Sequence, residues 1–416
     1  MSSDATDNSK RAKRFLLLLG FVSLFADMCY EGMRSALGPL LLFVGASASA
    51  IGWVSGIGEF IGYGLRYAAG RFVDRTGRYW LLTFIGYSVN LVAVPLLALA
   101  PSWPMIAALV ALERLGKAIR SPAKTTIVSF ATNGVGVGRA FAIQEAMDQA
   151  GAMLGPLLVA GVLAIRGNNA SGFALAFMLL AAPAALSLLS LSRARALVPD
   201  PRSLDTTTST STSHAKLGRK YVWYMVGIAA IAIGLADWPL LAFHLQRTGT
   251  LAAEWTPVAY AAAMASDGLA AILAGLWFDR GRAQGQSGAR VLAIFALLAA
   301  AYGPLVFATA QFGGMALPLV GIGFWSLGRA ATEATAKSLI AATVPANIRG
   351  QAYGTFYVVF GGAWWLGSVA LGMLYDVTPT ATAGLASAAL VLGAAILFVA
   401  DVRHARATSA AATAAT

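Results

Sequence analysis

This 416-residue chain is short of cysteine, of histidine and of charge: it has one Cys, three His and only 12% charged residues. Soluble domains carry about 25% charged residues, so an ordinary water-exposed surface is excluded. Cys29 stands alone inside an apolar run, which excludes a disulfide framework and a cysteine zinc cluster. His214, His244 and His404 lie far apart, with no H-E-x-x-H among them. No phosphate loop followed by Lys and Ser or Thr occurs, and no nucleophile elbow. The expectations are that the chain is not an enzyme, binds no metal, needs no cofactor and does not use ATP directly.

What the chain has in quantity is apolar sequence, 58% of residues, with a mean hydropathy of +0.70. A membrane-spanning helix takes roughly 20 apolar residues, and apolar runs of that size recur along the whole length. They fall near 15–44, 49–69, 80–100, 104–124, 139–165 and 171–192, then near 221–246, 254–278, 290–311, 314–337, 350–375 and 381–401. The short alternating segments of an outer-membrane barrel are absent. The 44 glycines, scattered through the runs, suit helices that approach closely in lipid. The expected fold class is an all-α polytopic membrane protein with twelve transmembrane helices.

The formal charge of +12 and the pI near 10 do not arise from a basic domain or face, so a nucleic-acid partner is not expected. Of the 30 Lys and Arg, two (Arg166, Arg247) fall in odd-to-even loops and six inside runs. The other 22 are assigned to the termini and the even-to-odd loops. That asymmetry puts both termini in the cytoplasm and the chain in the plasma (inner) membrane. Lys10, Arg11, Lys13 and Arg14 before the first run resemble a signal peptide, but no small-residue cleavage site follows and the run is too long. It is read as a retained first helix.

The expected organisation is a cytoplasmic tail (1–14), a six-helix bundle (15–192), a cytoplasmic linker (193–220), a second six-helix bundle (221–402) and a disordered tail (403–416). The linker contains an unbroken Ser/Thr tract from Thr206 to Ser213, which cannot bury a core. The halves repeat. Gly70, Asp74 and Arg75 recur as Gly275, Asp279 and Arg280, and Leu115, Gly116, Lys117 and Ala118 recur as Leu327, Gly328, Arg329 and Ala330. Two six-helix repeats in one orientation mark a carrier that rocks about a midplane site.

The segment GRFVDRTGR after the second run, with Gly70, Asp74, Arg75, Gly77 and Arg78, resembles the signature loop of the major facilitator superfamily. Tyr79 and Trp80 replace the basic residues usual there. The resemblance implies two pseudo-symmetric six-helix halves, a gating role for this loop and for its copy at Asp279 and Arg280, and a monomer. Gly151, Gly155, Pro156 and Gly161 in the fifth run resemble the family's antiporter motif, with Val159 and Ala160 departing from it. Close packing through small residues is the alternative use of those glycines. The stretches from Glu113 to Lys124 and from Gly138 to Leu158 resemble a group of bacterial members.

Nine acids fall inside runs: Asp27, Glu31, Glu59, Glu113, Glu145, Asp148, Asp237, Asp267 and Glu333. Six bases join them: Arg34, Arg66, Arg114, Lys117, Arg329 and Lys337. Each would cost about 2.5–3.5 kcal/mol facing lipid, so they must face a polar interior or one another. Asp27, Glu31 and Arg34 share a helix face, as do Glu59, Tyr63 and Arg66. Asp237 and His244 repeat the seven-residue acid-to-base spacing. Glu145 and Asp148 repel unless one holds a proton or Arg34 or Arg114 ties them down. Arg329, Glu333 and Lys337 read as a self-satisfied ladder, which leaves Asp267 without a partner on its own helix. Phe356, Tyr357, Phe360, Trp364 and Trp365 form a stripe that reads as packing or as a pocket wall.

The excess of nine acids over six bases suits proton coupling. The expected function is alternating-access secondary transport, by proton-coupled antiport (efflux) of a small organic or amphiphilic compound. The alternative is a symporter importing a small organic anion on Arg34, Arg66 or Arg114. The expected partners are a small-molecule substrate, protons and the lipid bilayer.

Overall fold

A computed structural model describes residues 2–131, 137–204, 218–283, 288–309, 314–344 and 349–414, except that the side chains of 2–10, 74, 137–139, 141–142, 204, 282–283, 334, 341, 349–350 and 403–414 lie outside the described set. Among the described residues there are fourteen α-helices and no strand. The first seven are α1 (Ser2–Phe43), α2 (Ala48–Thr76), α3 (Tyr79–Leu96), α4 (Trp103–Phe130), α5 (Val137–Arg166), α6 (Ala170–Leu179) and α7 (Ala181–Leu197). The rest are α8 (Arg219–Gly234), α9 (Trp238–Arg247), α10 (Trp255–Ala283), α11 (Ala289–Ala299), α12 (Ala316–Thr343), α13 (Arg349–Val377) and α14 (Pro379–Ala414).

Fourteen helices make twelve rods, because α6 and α7 meet at Leu180 and α8 and α9 are two parts of one apolar run. The second break has a cause in sequence. A proline ring inside a helix clashes with the carbonyl four residues earlier, and Pro239 would clash at Leu235. The chain accordingly leaves the helix at Leu235 and restarts with Pro239 in the first turn of α9. Pro304 after Gly303 similarly ends the regular part of its rod, which closes in a π turn over Pro304–Ala308.

Several boundaries move against the sequence expectation: α1 is helical from Ser2 where a tail over 1–14 is expected, α2 runs on to Thr76 and α4 to Phe130. α7 runs five residues past 192, to Leu197, and α14 is helical to Ala414 where a disordered tail is expected. Alanine-rich sequence is the best helix former, and an existing helix extends at no nucleation cost.

The chain divides into two compact units. One comprises Met1–Ala46, Ile57–Ser209 and Leu251–Ala262; the other comprises Ser47–Gly56, Thr210–Thr250 and Ala263–Thr416. In the first unit α1 lies against α5 so closely that a Cβ on Gly151 would strike the Leu24 carbonyl, and one on Gly155 the Met28 carbonyl. In the second unit Gly227 and Gly393 let α8 and α14 meet in the same way. Small residues are what permits such approach between helices in lipid.

Polarity is inverted relative to a soluble protein. On α10, Leu269, Ile272 and Leu273 are exposed while Asp267 is buried. Among the described residues, nine helical stretches are long and apolar enough to cross a membrane. The three rods outside that set are α2, α4 and α12, which carry Glu59 and Arg66, Glu113 to Lys124, and Arg329 to Lys337. Their charge lowers their hydropathy, and that charge is where the interior chemistry lies.

Candidate functional site

The first unit holds a cluster of buried charge assembled from α1, α2, α4 and α5. Its anchor is Glu59 on α2, whose Oε1 accepts from Arg34 Nη2 on α1 at 2.9 Å and lies 3.3 Å from Arg114 Nη2 on α4. Arg114 Nε lies 3.3 Å from Glu113 Oε2, and Asn90 on α3 donates to Glu113 Oε1 at 2.7 Å. Gly86 and Gly116 bring α3 against α4 so that Asn90 reaches this carboxylate. Arg34 thus bridges to another helix while lying in electrostatic range of Glu31, its neighbour one turn back. Glu31 instead accepts from the Tyr260 hydroxyl at 2.5 Å, with Arg34 within electrostatic range. Arg66 stacks over the Tyr63 ring at 4.7 Å, the face pairing expected on α2.

Asp27 lies one turn before Glu31, buried, beside the Tyr30 hydroxyl, and forms no ion pair among the described residues. Gly151 on α5 is its nearest backbone, since a Cβ there would stand 3.0 Å from Asp27 Cβ. Below it on α5, Asp148 lies 3.8 Å from Lys124 Nζ of α4, which also donates to Ser23. The expectation that Arg34 or Arg114 ties down the acids of α5 is therefore corrected: Lys124 does so for Asp148. Glu145 is exposed and accepts from Gln149 at 3.2 Å, outside the cluster.

Arg120 and Lys124 lie at the end of the fourth run but are not among the six bases counted inside runs, and both lie well inside α4, which continues to Phe130. Counting them changes nine acids against six bases into nine against eight. The acid excess that favoured proton exchange is mostly removed. Within the buried cluster, Asp27, Glu31, Glu59, Glu113 and Asp148 face Arg34, Arg114, Lys117, Arg120 and Lys124, five of each sign.

The second unit carries the break between α8 and α9, where side chains meet three of the freed backbone groups. The Tyr302 hydroxyl donates to the Gly234 carbonyl at 2.6 Å and accepts from Ala236 N–H at 2.9 Å, and Trp325 Nε1 donates to the Ala236 carbonyl at 2.8 Å. Asp237 stands at the start of α9 and accepts from Trp364 Nε1 at 3.0 Å and Ser368 Oγ at 2.8 Å. Part of the aromatic stripe thus holds Asp237, while Phe356 and Phe360 stack at 5.3 Å and are buried. His244 Nδ1 shares a 2.7 Å hydrogen bond with the Tyr375 hydroxyl and packs on Phe307. Asp267 is not without a partner: Arg329 Nη2 lies 2.9 Å from its Oδ2. A one-helix ladder therefore does not describe Arg329, which reaches across from α12 to α10.

The signature loop follows α2. Gly77 has φ +62, the left-handed conformation that glycine adopts without strain. Gly70 faces Pro122, Arg75 and Arg78 flank the turn, and the gating contact expected of Asp74 lies outside the described residues. Tyr79 takes the cation its position lacks from Arg202, whose guanidinium sits 5.2 Å over the ring. Trp80 Nε1 donates to the Val198 carbonyl at 3.2 Å, so the segment after α7 braces the loop. In the second copy, Asp279 and Arg280 are exposed on α10. Of the antiporter-like glycines, Gly151 and Gly155 are used in packing α1 on α5, and nothing lies within 4 Å of a Cβ on Gly161.

Sequence reasoning missed Tyr30, Arg120 and Lys124 in the first unit, and Tyr260, which reaches Glu31 from α10. The signal for two of them was present, since Tyr30 is three residues from Asp27 and Arg120 three from Lys117. It missed Asp376 on α13, whose carboxylate accepts from Ala48 N–H at 3.1 Å and Ser49 N–H at 2.8 Å, capping α2 from 328 residues away.

The description Major Facilitator Superfamily belongs to the family profile that matches residues 16–326. An uncharacterized protein of Mycobacterium tuberculosis, Rv2265, is 39% identical over 378 residues, 90% of each chain. An uncharacterized MFS-type transporter of Methanocaldococcus jannaschii, MJ1317, is 34% identical over 152 residues, 36% of this chain and 38% of that one. Among solved structures, a POT family transporter in complex with 5-aminolevulinic acid matches with a TM-score of 0.74 at 14% identity, covering 93% of this chain and 96% of that one. The nucleoside transporter NupG matches at 0.70 with 15% identity, covering 92% and 99%. At such identities the likeness is one of fold.

Proposed function

Because the chain belongs to the Major Facilitator Superfamily, we propose that it is a secondary active transporter that moves a small organic solute by alternating access, coupled to protons through Asp27. The observation that carries the coupling is Asp27 itself, a buried carboxylate that forms no ion pair among the described residues, beside carboxylates that have fixed partners. A carboxylate locked to an arginine keeps its charge through a transport cycle. One without a fixed counter-ion can gain and lose a proton as its surroundings alternate.

Cotransport is favoured over exchange by two observations. The cluster carries five charges of each sign, so it has no surplus carboxylate waiting for a proton to be driven off by a cationic drug. The glycines of α5 that resemble an antiporter motif are used in packing against α1. The protein is placed in the inner membrane as a monomer with both termini cytoplasmic, and the electrochemical gradient supplies the driving force.

The test is made in proteoliposomes holding a pH-sensitive dye. A solute gradient directed inward acidifies the lumen if solute and proton travel together. Exchange alkalinises it. Asp27→Asn is expected to abolish the pH signal while leaving solute counterflow measurable, because counterflow needs no net proton movement. Full gradient-driven accumulation by Asp27→Asn would overturn the reading.

A further inference from the structure

In the buried cluster, two cations are held by no carboxylate. Lys117 and Arg120 stand three residues apart on α4, and among the described residues neither forms an ion pair or a hydrogen bond. Arg34 and Arg114 are engaged by Glu59 and Glu113, and Lys124 by Ser23 and Asp148. Arg120 is 5% exposed and its Nε has no hydrogen-bond partner. Its contacts are with ring faces: Cζ stands 4.2 Å over Tyr87 and 5.6 Å over Tyr30, and Lys117 Nζ stands 4.1 Å over Tyr30.

A guanidinium this deep with no ion pair among the described residues is costly to bury. The ring faces offset part of that cost. A guanidinium stacked on a ring still presents its N–H edge, which is the edge that fits a carboxylate or phosphate in bidentate fashion. Lys117, less than one turn away on the same face, adds a second positive charge. We propose that Lys117 and Arg120, bracketing the Tyr30 ring, bind the carboxylate or phosphate of the transported solute, and that this anion travels with a proton taken up by Asp27.

The proton follows from the charges that surround the pair. Asp27, Tyr30, Glu31 and Arg34 face it from α1, Tyr87 from α3, Glu113, Arg114 and Lys124 from α4, and Asp148 from α5. Together with Glu59 from α2 and the pair itself, and with every acid ionised, these sum to zero, so a bound monoanion leaves the buried cluster one charge negative. Asp27 and Glu31 form no ion pair among the described residues, and of the two Glu31 accepts from Tyr260 with Arg34 in electrostatic range, so Asp27 is the acid assigned the proton. The solute half of the inference stands on geometry alone, and the proton half rests on the coupling proposed above. The sequence-based alternative of an anion clamp is thereby moved from Arg34, Arg66 or Arg114 to a pair further along α4.

The experiment is a thermal-stability titration of the purified full-length protein in detergent. The probes are acetate, lactate, succinate and benzoate in one arm and inorganic phosphate, glycerol phosphate and methylphosphonate in the other, each at pH 5.5 and pH 8. A probe that binds the folded state raises the melting temperature. At least one of these anions is expected to stabilise the wild type, more at pH 5.5, and the arm it belongs to identifies the headgroup. Lys117→Gln and Arg120→Gln are each expected to weaken that binding by at least about tenfold. Arg120→Lys, which keeps the charge and loses the fork, should lie between and guards against misfolding of Arg120→Gln.

The proposal is overturned if no anion of either arm stabilises the wild type, or if the shift survives in both Gln variants. A neutral or cationic solute that drives Asp27-dependent proton movement would overturn it as well, and would leave the proposed function standing. Equal anion binding at both pH values, lost in the Gln variants, would keep the anion site and remove the link to Asp27.

Discussion

Arg114 decides the stability of the buried cluster, because two carboxylates depend on it. Glu59 lies 3.3 Å from its Nη2 and Glu113 3.3 Å from its Nε, and Glu113 is 1% exposed. Removing one partner of a buried pair leaves an uncompensated charge, at a cost of about 3–5 kcal/mol. Arg114→Gln is therefore expected to be among the most destabilising single changes in the first unit, lowering the melting temperature by several degrees. Glu59 keeps Arg34, so Glu113 is the carboxylate left stranded, and Glu113→Gln with Arg114→Gln should be more stable than Arg114→Gln alone. A double-mutant cycle on melting curves reads this directly, and strict additivity would show that the pair is not coupled. Charged residues in apolar runs could be found by reading the sequence, and so could the need to pair them. Which acid meets which base could not: Arg34 reaches Glu59 on another helix, and Arg329 reaches Asp267 on another helix. Spacing along one helix reports only partners on that helix, whereas these pairs depend on how neighbouring helices pack.

At the scale of an element, the glycines of α5 give a contrast that separates packing from mechanism. A methyl group on Gly155 would strike the Met28 carbonyl, an atom of α1 that cannot yield without moving the helix, whereas one on Gly161 would meet nothing within 4 Å. Overpacking costs about 1–3 kcal/mol, so Gly155→Ala should lower stability and expression while Gly161→Ala is neutral in both. If the four residues instead acted as an antiporter motif, Gly161→Ala would impair transport without touching stability. The break between α8 and α9 makes a second test. Tyr302→Phe strips the Gly234 carbonyl and the Ala236 N–H of a buried partner, and each unmet group costs about 1–3 kcal/mol. Pro239 announced the break, yet the run was read as one helix because apolar content alone does not register a missing N–H. The hydroxyl and indole that repair it come from residues 302 and 325, too distant for any local pattern to indicate. A melting curve for Tyr302→Phe that matches the wild type would mean the freed groups are satisfied some other way.

At the scale of the whole molecule, the orientation in the membrane rests on where the cations lie. Only Arg166 and Arg247 fall in odd-to-even loops, at the end of α5 and the end of α9, and both are exposed. Lys and Arg are retained on the cytoplasmic side because moving them across during insertion is costly. Those two positions are therefore expected to face outward and the richly basic segment at the end of α7 inward. The sequence also supplies the means of testing this, since Cys29 is the chain's one cysteine and is buried. In a Cys29→Ser background, Arg166→Cys and Arg247→Cys are expected to react with a membrane-impermeant maleimide added to intact cells. Arg193→Cys, exposed near the end of α7, is expected to react only after the cells are opened. The reverse pattern would invert the molecule and overturn this orientation, while cotransport would still carry solute in the direction that protons run downhill.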